Sequence, residues 1–226
     1  MGKRIAVVAA MRNELKPFTR RVTDGHIGDA VVTGTVIGIG PALARSSTEQ
    51  LLDAGPIDHV VMIGIAGGVG PTVKIGDVVV PEVVVDADGG DHRPVALPGT
   101  TPHGVMRTSG NIDVTDAEVA ALRDRGVIAL DMETAAVGAV SEERGVPWSV
   151  VRAISDHTDD GFVDSRVLAM TNSDGSPNMK NVARYVLPRP WKLVQLSKLA
   201  KGASLATRAS ADAAVDAIAA LVRTPG

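Results

Sequence analysis

Short apolar runs alternate with amphipathic segments along most of the chain. The apolar runs are rich in valine and isoleucine and predict strands at 4–10, 30–40, 58–67, 76–85, 126–130 and 148–156. The amphipathic segments predict a short helix from Asn13 and longer helices at 41–55, 114–126 and 133–145. Continuous apolar strands separated by helices indicate a sheet covered on both faces. We therefore predict one α/β domain over residues 1–226, with three α/β/α layers and a central mixed β-sheet.

The C-terminal part has a different pattern. Between 188 and 222, lysine and arginine alternate with leucine after a corner bounded by prolines. This pattern predicts one or two amphipathic helices, which would form a C-terminal helical extension at about 179–223. A solvated face beside a buried stripe is the favoured interpretation, and a partner-binding helix is the alternative.

Composition narrows the class of protein. With 226 residues, 45% of them hydrophobic, the chain can bury a full core, and its formal charge of −3 gives no electrostatic support for binding nucleic acid or a membrane surface. We find neither a run of about 18 apolar residues that could span a membrane nor a signal-peptide pattern at the charged start. The absence of cysteine excludes disulfides, thiolate metal sites and cysteine nucleophiles. We expect a soluble, cytoplasmic, globular protein.

Three carboxylates each follow an apolar strand. Glu14 comes after the first strand, Glu133 lies in the segment "LDMETAAV" where a strand turns into a helix, and Asp156 ends the last core strand. One such acid could be a helix-start charge or a loop cap. Three acids at one rim of a sheet would repel one another and lose solvation, which raises at least one pKa and suits general acid catalysis.

Two glycine-rich turns, at 38–40 and 64–68, also follow strands. Such turns let a ligand approach the backbone, and open α/β sheets bind ligands at strand ends. Neither turn matches a dinucleotide-binding fingerprint or a P-loop, so no nucleotide cofactor is predicted. The acidic segment 86–93 lacks the spacing of a calcium loop and is expected to be a flexible, solvated loop. His103 and His157 have no companions at metal-ligand spacing, so no metal is predicted either.

Five motifs together carry a family resemblance. In order, they are "AAMRNELKPF", "GIAGG", "IGDVVVP", "ALDMETAAV" and "VVRAISD". Over about residues 3–160 they resemble the purine/uridine phosphorylase superfamily, and most of all its methylthioadenosine/S-adenosylhomocysteine nucleosidase branch. The resemblance implies a nucleoside phosphorylase-like fold, a small-molecule purine nucleoside as substrate and no cofactor. It also implies a homodimer in which a loop of the neighbouring subunit closes the site.

The resemblance also implies roles for individual residues. Asp156 matches the acid that protonates the purine at N7, and the adjacent Ser155 would orient its carboxyl group. Glu133 matches the acid that binds the ribose hydroxyls, and Met132 matches the methionine against the sugar. Glu14 matches the base that activates the attacking water. The remaining matched positions are Arg152, a supporting arginine beside the acid, and Gly67, a backbone contact in the glycine turn.

The chain departs from the family pattern at two places. Ile65 stands in "GIAGG" where the hydrolases of the family have a serine that holds water or phosphate. The base-binding loop at 108–116 lacks the usual stacking phenylalanine and has Ile112 instead, and Phe162 is a candidate substitute that could equally belong to the core. An altered base or a bulky 5′ group is therefore compatible with the sequence.

Hydrolysis is favoured over phosphorolysis, although both stay open. The arginines that hold phosphate in phosphorylases of this fold are missing, Arg12 is expected to be solvated, and Glu14 would repel phosphate. The "GIGP" turn and the segment from Asp174 through "RPW" nevertheless resemble hopanoid-associated phosphorylases of the superfamily. Two non-enzymatic interpretations also stay open: a binding relative, which would not need Glu14, and a structural protein in which the acids are only caps.

Overall fold

The computed structural model describes residues 2–110, 115–158, 180 and 192–223. The strands in these ranges are β1 (Arg4–Ala9), β2 (His26–Ile27), β3 (Ala30–Val36), β4 (His59–Gly68), β5 (Val78–Val79), β6 (Val83–Val85), β7 (Asp91–His92), β8 (Val105–Thr108), β9 (Val127–Asp131) and β10 (Trp148–His157). The helices are α1 (Arg12–Thr19), α2 (Pro41–Asp53), α3 (Asp116–Asp124), α4 (Thr134–Glu143) and α5 (Lys192–Arg223).

The strands form one mixed sheet in the order β2-β3-β1-β4-β9-β8-β6-β7, with β10 beside β4 and β5 beside β10. Strands β3, β1, β4 and β10 run parallel to one another. The end of β4 also pairs antiparallel with β9, where Gly67 faces Leu130. This second pairing brings the ends of β4, β9 and β10 together at one rim of the sheet.

Helices cover both faces of the sheet, as the alternation of side chains along its strands requires. On one face, Val7, Ile63 and Val151 pack with residues of α1 and α5. On the other face, Val8, Met62 and Val150 pack with residues of α2 and α4. The three-layer α/β/α architecture with a mixed sheet is therefore confirmed.

Two predicted segments differ from what is observed. The strand predicted at 76–85 divides into β5 and β6 around Pro81, which has no N–H to donate to a ladder. The segment 86–93 is an ordered β6/β7 hairpin rather than a flexible loop, because Asp86 Oδ1 accepts the N–H groups of Asp88 and Gly90. The described part of the C-terminal segment, Lys192–Arg223, forms one helix of 32 residues, α5, which is one of the two alternatives predicted. Its Ala211, Ala214 and Ile218 are core residues, in agreement with the predicted buried stripe.

Among the described residues, no helix combines the length and the apolar character that crossing a membrane requires.

Candidate active site

A fully buried arginine, Arg152 of β10, lies at the centre of the candidate site. Its Nη2 atom lies 2.6 Å from Asp131 Oδ2 and 3.2 Å from Glu133 Oε2. Its Nη1 atom lies 3.0 Å from the Ile65 carbonyl oxygen and 3.5 Å from Glu14 Oε1. One cation thus joins three carboxylates, of which Asp131 and Glu133 come from the junction between β9 and α4 and Glu14 comes from α1.

Asp131 is the acid that caps helix α4. Its Oδ2 accepts hydrogen bonds from the N–H of Thr134, at 3.0 Å, and from the Thr134 hydroxyl group. Its Oδ1 accepts the hydroxyl of Thr108 at 2.7 Å. The helix-start role that the sequence offered to an acid of "DMET" therefore falls on Asp131.

Glu133 is consequently available for another role. It occupies the N-cap position of α4 without capping that helix through its side chain. Its Oε1 instead accepts the N–H of Gly40 at 2.8 Å. Gly40 is the N-cap of α2, so the carboxylate meets the positive end of that helix. The "GIGP" turn that the sequence singled out therefore reaches the same acid.

Glu14 sits at the start of α1 and is 2% exposed. Its Oε2 accepts the N–H of Met11 at 2.9 Å, and its Oε1 accepts the N–H of Ile65 at 3.0 Å. The first bond caps α1, while the second ties the carboxylate to the glycine turn of β4. These donors suit an ionised carboxylate, which can only accept hydrogen bonds.

Burial dominates the electrostatics of the cluster. Desolvation raises the pKa of Glu133 to about 7, although Arg152 opposes the rise. Desolvation likewise raises the pKa of Glu14, and the Arg152 charge with the Ile65 and Met11 N–H groups offsets this only in part. Burial alone would lower the pKa of Arg152, but its three carboxylates, led by Asp131, outweigh burial and raise it. The site thus combines a cation with two carboxyl groups whose pKa values are raised, that of Glu133 to about 7.

Asp156 lies at the end of β10, next to a bulge. The pairing of β10 with β4 shifts between Ile154 and Asp156, so that Asp156 faces Gly67. Such a bulge re-aims the neighbouring side chains. The Ser155 hydroxyl donates to Asp156 Oδ1, as the predicted orienting role requires. Asp156 is half-buried, in contrast to the fully enclosed Glu14.

The remaining predicted site residues have mixed outcomes. Met132 is half-buried between the two acids that flank it in sequence, and Gly67 lines the end of β4 opposite Asp156. Arg12 is exposed, as expected. Ile112 and Phe162 lie outside the described residues, as does the tail segment from Asp174.

Sequence analysis assigned no role in the site to Asp131, Thr108 or Thr134. It singled out the turn that contains Gly40 without indicating that its N–H meets Glu133. Asp131 is visible beside Met132 and Glu133, but the sequence does not indicate which acid caps the helix. The resemblance places Arg152 beside Asp156, and the contacts described are with the three other carboxylates. Among the described residues, no cluster of three or more histidine or acidic side chains is suited to a metal ion.

Comparisons with known proteins identify the family to which this chain is similar. The family described as the Phosphorylase superfamily matches residues 1–109 and 101–186. A 5′-methylthioadenosine/S-adenosylhomocysteine nucleosidase of Bacillus cereus (strain G9842) is 28% identical over 224 residues, covering 75% of this chain and 95% of the relative.

Solved structures show the same fold at lower identity. A nucleosidase of that name from Colwellia psychrerythraea 34H, in complex with adenine, has a TM-score of 0.70 at 18% identity, covering 98% of this chain and 96% of the other. A futalosine hydrolase of Helicobacter pylori strain 26695 has a TM-score of 0.67 at 17% identity, covering 96% of this chain and 97% of the other. Because the family match spans most of its length, this chain belongs to the Phosphorylase superfamily.

Proposed function

We propose that this protein is a nucleosidase that hydrolyses the N-glycosidic bond of a 5′-substituted adenosine-type nucleoside. The similar proteins named as nucleosidases of methylthioadenosine and S-adenosylhomocysteine support this substrate class. The futalosine hydrolase of the same fold supports the reaction type and broadens the range of 5′ groups to be tested.

In the proposed reaction, Asp156 donates a proton to N7 of the purine, and the C1′–N9 bond breaks as the base leaves. The Ser155 hydroxyl, which bonds Asp156 Oδ1, orients this acid. Glu133 binds the ribose hydroxyls and stabilises the positive charge that develops on the sugar. Met132 packs against the sugar, and the oxygen of a water molecule attacks C1′ while Glu14 accepts its proton.

One observation carries the proposal: Glu14 Oε1 and Glu133 Oε2 lie 3.5 and 3.2 Å from the same guanidinium group. The water must attack C1′ on the face opposite the base, which is also the face that carries the ribose 2′- and 3′-hydroxyls, so a water-activating acid and a hydroxyl-binding acid must lie close together. Arg152 holds Glu14 and Glu133 close together, while its shortest ion pair is with a third acid, Asp131.

The N–H donors of the Arg152 guanidinium group are already occupied by groups of the protein, which favours water over phosphate as the nucleophile. Its guanidinium has five acceptors within 3.5 Å: Thr134 Oγ1, the Ile65 carbonyl oxygen, Glu14, Asp131 and Glu133. A phosphate dianion would need free cationic donors. It would instead meet Glu14 and the Ile65 side chain, which offers no hydroxyl. Phosphorolysis is therefore the second candidate.

The test is a panel of nucleosides assayed with and without inorganic phosphate. Methylthioadenosine, S-adenosylhomocysteine, futalosine, adenosine and inosine are incubated with the protein, and the free base and the sugar product are identified. We expect free base and an unphosphorylated ribose, at a rate that phosphate does not raise. Ribose 1-phosphate formed at a phosphate-dependent rate would replace the hydrolase by the phosphorylase. Binding of nucleosides without base release would indicate a non-catalytic relative.

The proposal also covers the oligomeric state and the cellular location of the protein. We infer from the family resemblance a homodimer that acts in the cytoplasm. Sedimentation at micromolar concentration tests the dimer, and a fluorescent fusion in the source cell tests the location.

A further inference from the structure

Strand β4 departs from regular geometry at Gly64, beside the candidate site. Gly64 has a φ of +124°, a conformation that residues with a side chain rarely adopt. A Cβ atom at this position would lie 2.6 Å from Glu14 Oε1 and 2.8 Å from Arg152 Nη1. The backbone of β4 therefore turns here so that two charged side chains can approach it closely.

The turn at Gly64 sets the direction of the next peptide groups. The N–H of Ile65 donates to Glu14 Oε1 at 3.0 Å, and the carbonyl oxygen of Ile65 accepts from Arg152 Nη1 at 3.0 Å. Both backbone polar groups of one residue thus hold the two charged groups in place. A change in the conformation of Gly64 would redirect the Ile65 N–H away from Glu14.

A hydroxyl group of helix α5 forms a hydrogen bond with the backbone of Gly64. Ser210 Oγ accepts the N–H of Gly64 at 3.0 Å and donates to the Val151 carbonyl oxygen at 2.6 Å. Ser210 is fully buried, and its hydroxyl links β4 to β10 one residue before Arg152. The same helix approaches β10 again at Gly202, where a Cβ atom would lie 2.1 Å from the Ser155 carbonyl oxygen. Helix α5 therefore packs directly beneath the site.

We propose that Ser210 is a positioning residue for Glu14, acting through Gly64 and the N–H of Ile65. This inference rests on the proposed function, in which Glu14 activates water. The C-terminal helix then has a part in the reaction, although it contributes no group that touches the substrate. Removing the Ser210 hydroxyl group from α5 should alter the protonation of Glu14 and the orientation of its carboxylate group.

Thr207 provides a matched control on the same helix. It is nearly as buried as Ser210, and its hydroxyl donates to the Ser204 carbonyl oxygen of its own helix at 3.2 Å. Thr207→Ala therefore removes a buried hydroxyl from α5 without removing a hydrogen bond to β4 or β10. Any general weakening of the helix should affect both variants alike.

The first measurement is the pH dependence of kcat for nucleoside cleavage by the wild type, Ser210→Ala and Thr207→Ala. Misplacing a catalytic group by about 1 Å can cost about 100-fold, and we expect Ser210→Ala to lose about 10- to 100-fold in kcat with KM unchanged. Losing the Ile65 N–H bond also raises the pKa of Glu14, because this bond lowers it. The acid limb of the profile should therefore move to higher pH in Ser210→Ala alone.

The second measurement does not need activity. The Ile65 N–H bond stabilises the ionised form of Glu14, so Ser210→Ala should lower the melting temperature more at pH 8 than at pH 5. In a Glu14→Gln background the loss should be the same at both pH values. If the alanine variant does not fold, the same two measurements are made on Ser210→Cys, whose side chain is close in volume to serine and is a weak donor.

The outcomes separate this inference from the proposed function. A wild type that releases no base from any nucleoside refutes the proposed function, and the melting temperatures still decide the role of Ser210. Ser210→Ala with the kcat and pH profile of the wild type would overturn the inference. So would equal losses in Ser210→Ala and Thr207→Ala, or a melting-temperature loss that is independent of pH and of Glu14.

Discussion

Asp131 Oδ2 lies 2.6 Å from Arg152 Nη2, the shortest contact that this buried guanidinium makes with a carboxylate. Glu133 and Glu14 lie farther from it, at 3.2 and 3.5 Å. Asp131 also accepts three hydrogen bonds from two threonines. We therefore assign Asp131 as the main counter-ion of Arg152. Glu133 and Glu14 interact with the same cation over longer distances.

Replacing the central cation should destabilise the protein strongly near neutral pH. Arg152→Met leaves three buried carboxylates without their shared cation, and breaking a buried ion pair by removing one side costs about 3–5 kcal/mol. Urea unfolding at pH 7 measures the loss, which should be smaller at pH 5, where the carboxyl groups can take up protons. The matched control is Arg144→Met, since Arg144 pairs with Asp53 at the surface and should matter little. Equal losses in both variants would contradict the central role of Arg152.

Removing the acidic proton of Asp156 should stop base release while preserving the fold. An amide cannot protonate N7, and general acid catalysis contributes about 10²–10⁴-fold. Asp156→Asn is assayed for free base, with its melting temperature as the check on folding. Asp58→Asn serves as control, because the exposed Asp58 lies before the start of β4, at the opposite end of that strand from the site, and its Oδ2 accepts the backbone N–H of Arg4. A folded Asp156→Asn protein with near-normal turnover would remove this residue from the mechanism.

Glu133→Gln should impair kcat more than substrate binding. The amide still bonds a ribose hydroxyl, but it stabilises the positive charge of the transition state poorly. Steady-state kinetics and equilibrium binding of an uncleaved analogue separate the two effects. If only the binding constant changed, Glu133 would be a ground-state contact and its assignment to the oxocarbenium-like sugar would be wrong.

The raised pKa of Glu133 also predicts how stability depends on pH. Its pKa is about 7 in the folded protein, against 4.5 as the ordinary value. The folded state therefore binds this proton more tightly than the unfolded state does. The contribution is fully present below about pH 4.5 and is lost as the pH rises through 7, up to about 3 kcal/mol. Urea unfolding of the wild type between pH 4.5 and 8 should show this decline, and Glu133→Gln should flatten it.

Glu14→Gln should abolish hydrolysis and leave the purine pocket intact. The amide cannot accept a proton from water, whereas adenine binding does not involve this side chain in the proposed reaction. Base release and adenine titration by calorimetry are the two measurements. Ile65→Ser is the companion variant, since it restores a hydroxyl to the glycine turn and should retain activity. Phosphate-dependent turnover by Glu14→Gln would make Glu14 a structural acid.

Gly64→Ala should be far more damaging than an alanine at Gly99, a glycine whose φ is also positive but whose surroundings are open. The new Cβ atom would lie 2.6 Å from Glu14 Oε1 at a φ of +124°. Gly99 has a φ of +80° and open space around the Cβ position, so Gly99→Ala incurs only backbone strain of about 1–2 kcal/mol. Thermal unfolding and base release compare the two. Similar stability and activity in both variants would show that the contact at Gly64 is unimportant.

The sequence by itself determined the layers of the fold and placed the candidate catalytic acids at the ends of strands. Strands such as 148–156 are apolar over most of their length, which requires cover on both faces, and carboxylates that directly follow strands must lie at the rim of the sheet. The pattern also predicted the buried stripe of the C-terminal helix. These conclusions depend on local periodicity and on chain order, which a sequence contains in full.

Only the tertiary structure decided which role each of the acids takes. Asp131 and Glu133 are two residues apart, and the packing of Thr108, Thr134 and Arg152 makes the first a cap and counter-ion while the second meets Gly40. Ser210 lies 146 residues from Gly64 in the chain, so no local pattern could join them. Hydrogen bonds between distant residues depend on where packing places each donor, and desolvation depends on what covers each charge. Neither the position of a distant donor nor the desolvation of a charge is defined before the helices and the sheet have packed together.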